Sequence, residues 1–270
     1  MKLETASIMA AILFLSGLLA GCDPDAILDA LDRGSSGGST SQPIAWENCP
    51  EARDGSWNFG RAPRGCELAL VGDAELVRTE FSGHIFDDAA PRSDERQRYM
   101  TAFQAWLAAE AEAYLLERRE ADEAEREAWR RAVFATAHQE SFWTHYRKTA
   151  PGDGGVLTML RGDMGHGHGL MQIDDRWHTN AIENGVGWHL EENLVYALDI
   201  YFGEWERAPD AECVDMPDDF KARARAAYAA YNGGPQQLCR WTNPDDPWAQ
   251  NDEGYEAKYI YQEWNDHVVE

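Results

Sequence analysis

Trp129-Arg130-Arg131-Ala132-Val133-Phe134-Ala135-Thr136-Ala137-His138-Gln139-Glu140-Ser141-Phe142 is the stretch on which the fold turns. Trp129, Val133, Phe134 and Ala137 fall on one face of a 3.6-residue period, so the stretch predicts an amphipathic helix. It delivers an acidic side chain, Glu140, between that face and the aromatic pair Phe142-Trp143. Upstream, Ser93-Asp94-Glu95 reads as a helix start, and Tyr99, Phe103, Trp106 and Leu107 continue with helical spacing. The charged run Arg118 to Glu127 is either an exposed continuation of that helix or a break between two. Downstream, residues 151–169 hold seven glycines and predict a loop. Helices are expected from Leu190 to Trp205 and from Phe220 to Tyr231, the second stopped by Asn232-Gly233-Gly234-Pro235. Between these helices nothing alternates like a buried sheet. The fold class expected is mainly α.

The 270 residues suffice for one substantial domain with a leader and a linker. With 24 basic against 48 acidic residues the net charge is −24. Such a surface repels phosphate backbones, so nucleic acid is not an expected partner.

At the N-terminus, Lys2 precedes an apolar run from Ile8 to Leu19, too short for the ~20 apolar residues of a membrane span. The run reads as a secretory leader, residues 1–21. Leu19-Ala20-Gly21-Cys22 resembles the bacterial lipobox, which implies acylation of Cys22 and a membrane anchor in the cell envelope, facing the periplasm. Residues 22–43, with Gly34-Ser35-Ser36-Gly37-Gly38-Ser39 at their centre, form a flexible tether of roughly 25 Å reach. Residues 44–92 read as a loop-rich extension in which only Leu68 to Val77 looks regular, and 93–270 as the main domain.

Four further cysteines, Cys49, Cys66, Cys213 and Cys239, fit two disulfides in an oxidising compartment. Three pairings are possible. The local one, Cys49–Cys66 with Cys213–Cys239, costs least in chain closure.

Three segments carry the chemistry: Glu140-Ser141, Gly169-Leu170-Met171-Gln172-Ile173-Asp174 and Ala230-Tyr231-Asn232-Gly233. In this order they resemble the soluble lytic transglycosylase and goose-type lysozyme superfamily, glycoside hydrolase family 23. The resemblance implies a lysozyme-like helical domain that cuts the β-1,4 bond between N-acetylmuramic acid and N-acetylglucosamine in peptidoglycan, as a monomer and without a cofactor. It makes Glu140 the general acid and matches Asp163 and Asp174 to the goose-type aspartates that position water. The segment from Glu140 to Asp174 is longer here than in the bird enzymes. Ser141, Gly169, Met171, Gln172, Tyr231 and Asn232 would line the sugar groove, with His168 beside them. A transglycosylase of this superfamily would instead use Glu140 alone and leave 1,6-anhydro ends. A third alternative is a peptidoglycan-binding lipoprotein without activity.

The physical requirement is independent of the resemblance. Breaking a glycosidic bond needs a carboxylic acid that stays protonated near neutral pH. An apolar helix face, flanking aromatics and the negative end of a helix dipole all raise a glutamate in that direction. His138, His166, His168 and His178 lack zinc-helix spacing and an evident third ligand, so no metal is expected. Gly165-x-Gly167-x-Gly169 lacks the preceding strand of a phosphate cradle.

Overall fold

The computed structural model describes residues 69–148 and 155–268, all within one unit spanning 42–270. The leader, the tether, Cys22 and the Cys49–Cys66 pair lie outside the described residues. Among the described residues no helix is long and apolar enough to cross a membrane.

The chain is mainly helical. Strand β1 (Ala69–Leu70), helix α1 (Ala74–Glu80) and strand β2 (Ile85–Asp87) precede two long helices, α2 (Arg92–Arg118) and α3 (Glu123–Ser141). Short strands follow: β3 (Tyr146–Lys148), β4 (Leu157–Met159), β5 (Arg161–Gly162), β6 (Gly167–His168) and β7 (Ile173–Asp174). Helices α4 (Thr179–Glu183), α5 (Leu190–Arg207), α6 (Phe220–Gly233) and α7 (Ala249–Tyr261) complete the order. The charged run resolves into a break: α2 stops at Arg118, and Asp122 caps α3 by accepting the Glu125 N–H at 2.8 Å.

α3 is the central helix, packed against α2, α6 and α7. Trp129, Val133 and Ala137 on its inner face are fully buried. Two buried indoles find carbonyls: Trp129 donates to Ala111 (2.7 Å) and Trp143 to Phe134 (2.9 Å). Arg223 of α6 reaches Glu125 of α3 at 3.0 Å and lies over the Trp205 ring, pinning three helices at one buried point.

Two features depart from the sequence reading. Val71, Val77, Phe81 and Phe86 belong to the same core as α2 and α3, so the boundary expected at residue 93 falls inside a packed body. The glycine-rich loop, where described, is largely paired: β1-β4-β3-β2 make one small sheet and β5-β6-β7 an antiparallel ribbon. Strands of two or three residues are too short for an alternating pattern to register in sequence. The disulfide Cys213–Cys239 is formed, closing a loop that contains all of α6.

Candidate functional site

Glu140 is the penultimate residue of α3. The helix ends in a left-handed cap, with Phe142 N–H donating to His138 O (3.0 Å) and Trp143 N–H to Ala137 O (3.3 Å). Phe142 (φ 51°) and Trp143 (φ 60°) are both left-handed, a conformation costing about 1–2 kcal/mol for each such side chain. Tertiary contacts hold it. Trp143 is fully buried and stacks on Trp264, and its carbonyl accepts the Tyr99 hydroxyl at 2.7 Å. The turn therefore aims Glu140 away from its own helix while an aromatic wall closes behind it. His138 belongs to that wall, its ring 4.9 Å from Phe142 and 5.9 Å from Trp264. Burial pushes His138 down to about 3, so it stays neutral.

Glu140 keeps some contact with solvent. Loss of hydration nevertheless dominates its titration and raises it to about 7. The Tyr228 hydroxyl, donating to Oε1 at 3.0 Å, works against that rise, as do the charges of Lys258 and Arg240, while Asp163 adds to it. Tyr231 feels the Glu140 charge in turn. Side chains from α6, α7, the turn after Cys239 and the β5–β6 connection thus converge on one carboxyl.

The segment 169–174 is tied to this centre through its backbone. Tyr231 donates to Met171 O at 2.6 Å. Asn193, fully buried on α5, accepts from Met171 N–H (3.0 Å) and donates to the carbonyls of His168 (3.0 Å) and Val186 (3.1 Å). His145 accepts the Leu170 N–H at 2.8 Å and donates to Trp188 O at 3.1 Å, which fixes its tautomer, and burial holds it at about 3. Gly169, at φ +70°, lies so close to this imidazole that a Cβ there would collide with it. Gln172 is also left-handed (φ 51°) and donates to Gly169 O at 2.6 Å. Its amide covers Gly167, where a side chain would strike it.

The sequence-predicted residues therefore separate. Tyr231 lies within the field of Glu140 and, through Met171 O, holds the segment that carries Gln172 and the Gly169 turn. Ser141 is buried and donates to Ala137 O (3.1 Å), the ordinary back-bond of a helix serine, rather than facing a groove. Met171 is fully buried in the core, so its side chain offers no face to a sugar. Asn232 is exposed, and its carbonyl oxygen accepts from Arg240 at 3.0 Å, which turns its amide N–H groups outward. Arg240 is itself held by the buried Asp252 at 3.0 and 2.6 Å.

His168 is likewise buried rather than groove-lining. Burial and the Arg161 charge lower it to about 4, and its Nε2–H donates to Asp175 at 2.9 Å. Asp175 is a hub that also accepts His166 (2.7 Å) and Arg161 (3.2 Å). Burial opposes its charge, but bonds from His168 and His166 and the Arg161 charge hold it below the usual carboxylate range. His166, Asp174 and Asp175 bring one ligand atom each within 4.8 Å of one another, a grouping that the spacing of the histidines alone did not reveal. Both carboxylates already face guanidinium groups, Asp175 facing Arg161 and Asp174 facing Arg176, and those charges disfavour a cation there.

Asp163 and Asp174 meet at Arg176. Asp174 Oδ1 accepts the Arg176 N–H (2.8 Å) and Nε (2.9 Å), and its Oδ2 accepts Nε (3.0 Å) and Nη2 (2.5 Å). Asp163, exposed and left-handed at φ 45°, binds the same Nη2 through Oδ2. Sequence reasoning passed over Tyr228, Arg240, Lys258, His145, Asn193, Asp175 and Arg176. Tyr228 had a usable signal: it lies three residues before Tyr231, hence on the same face of α6.

Compared with protein-family models, curated proteins and solved structures, the chain matches none.

Proposed function

We propose that this chain is a lysozyme-like glycosidase that cleaves the β-1,4 bond between N-acetylmuramic acid and N-acetylglucosamine in peptidoglycan, with Glu140 as general acid. The observation that carries the reading is the carboxyl at the end of α3: raised to about 7, reachable from solvent, bonded by Tyr228 and felt by Tyr231, whose hydroxyl holds Met171 O. A donor with that value is protonated below neutrality and transfers its proton readily in the transition state. Gln172, Tyr231 and the outward N–H groups of Asn232 supply hydrogen bonds to amino sugars. The acylated Cys22 would hold the enzyme to the envelope beside its polymeric substrate.

Asp163 and Asp174 are not equivalent in this scheme. Asp163 acts on Glu140 electrostatically and is the candidate partner of the attacking water. Asp174 has both oxygens committed to Arg176 and supports Asp163 through it. That same pairing favours a second reading, the lytic transglycosylase, because the Arg176 guanidinium occupies an Asp163 oxygen that would otherwise face water.

Mass spectrometry of muropeptides released from purified sacculi tests the activity. Wild-type protein should release glycan fragments at a rate that is flat below pH 7 and falls as pH rises through about 7, as Glu140 loses its proton. Glu140→Gln keeps the shape without the proton and should lose on the order of 10²–10⁴ in rate. Undiminished release by that variant would remove Glu140 from the chemistry.

A further inference from the structure

We infer that Arg176 is a positioning residue that sets which nucleophile ends the reaction, water or the sugar's own 6-hydroxyl; this rests on the glycosidase reading above. The two outcomes share their first half. Glu140 gives its proton to the glycosidic oxygen, and the bond from C1 of the muramic acid to that oxygen breaks with its electron pair going to the oxygen. In hydrolysis, water oxygen then bonds to C1 and its proton passes to the Asp163 carboxylate, leaving a reducing end. In the intramolecular route the 6-hydroxyl oxygen bonds to C1 and its proton returns to Glu140, closing a 1,6-anhydro ring without consuming water. The only protein group that differs between the routes is the carboxylate receiving the proton from water.

That carboxylate is held by Arg176. Its guanidinium joins Asp163 and Asp174 at once, and its backbone N–H is bonded to Asp174 as well, so the arginine is anchored at two points on the β7 turn. Always protonated, it both occupies an Asp163 oxygen and cancels part of the charge that would draw a proton from water. The pair is exposed, with about half of each side chain open to solvent: 45% for Arg176 and 52% for Asp163. An exposed pair opens readily and biases an equilibrium by up to about fivefold, enough to tilt a product ratio without fixing it. Engaged, it favours the anhydro product; open, it lets Asp163 serve water.

The test is the ratio of reducing to anhydro ends released from sacculi by the full chain. Arg176→Gln should raise the ratio of reducing to anhydro ends by up to about fivefold, and Arg176→Lys, which keeps the charge but not the fork, should fall between. Adding Asp163→Asn to Arg176→Gln should return the ratio towards anhydro ends, because the gain depends on that carboxylate. A purely structural role for Arg176 would lower both products together and leave their ratio alone. An unchanged ratio in Arg176→Gln, or a double variant matching the single one, overturns the inference while cleavage itself stands. No release by the wild-type chain overturns the glycosidase reading, and this inference with it.

Discussion

At the end of α3 the Glu140 carboxyl stands among tyrosines and an aromatic wall, and loss of hydration lifts it to about 7. In the β5–β7 ribbon, Asp163, Asp174 and Asp175 face Arg161, Arg176, His166 and His168, and Asp175 is driven the other way, below the usual carboxylate range. Two chemically similar groups thus acquire opposite resting states from their neighbours. Apolar surroundings raise a carboxyl because nothing replaces the lost water; cationic surroundings lower it because paired charge does. The chain holds a raised carboxyl and fixed negative charges at the same pH in two environments that meet electrostatically, where Asp163 adds to the rise at Glu140. Here Phe142, Trp143 and Trp264 wall one of them, while glycine turns carry the other.

The contrast breaks most visibly in pH-dependent stability. Glu140 has a folded value near 7 against an ordinary 4.5, so the folded state binds its proton more tightly. That stabilisation is complete below pH 4.5 and is lost as pH rises to 7, about 3 kcal/mol in all. Glu140→Gln does not titrate; urea denaturation should show it gaining on the wild type by that amount between pH 4.5 and 8. A constant difference would mean that the niche is wet. On the ribbon side, Asn193→Ala should cost about 2–3 kcal/mol at any of these pH values, because it strands the Met171 N–H and the His168 and Val186 carbonyls. A pH-independent loss in thermal or urea unfolding separates this scaffold effect from the niche. Tyr228→Phe sharpens the comparison most finely. Removing a donor to the charged form raises Glu140 further, so the falling limb of the pH–rate profile should move to higher pH, with about 1–2 kcal/mol of stability lost at pH 8. A limb that moves lower would show that Tyr228 serves the acid form instead.

Much of this was legible in sequence. The long helices follow from apolar spacing, while Glu140 was singled out by the resemblance that its segment shares with two others, not by the helix alone. Residues that act through tertiary contact were not. Lys258 and Tyr255 lie on α7, whose run Gln250-Asn251-Asp252-Glu253-Gly254 is polar and broken by glycine, so its weak period hides a helix that packs on α3. Asn193 and His145 look like ordinary polar residues until the backbone of 168–171 arrives beside them. Ser141, Met171 and His168 were read in the opposite sense from their setting, because a motif fixes which residues occur, not which way each side chain points. Asp163 and Asp174 were chosen by the resemblance, while the arginine that joins them, two residues after Asp174, bore no mark of its own.

The Cys213–Cys239 bond gives α6 a further property. The helix that carries Tyr228, Tyr231 and Asn232 is enclosed in a covalent ring, and Arg240, which steadies Asn232, is the next residue after its clasp. In a reducing cytosol the clasp stays undone and the ring slack. Reduction would thus loosen the seating of Tyr228, Tyr231 and Asn232 together, through one bond outside the helix itself.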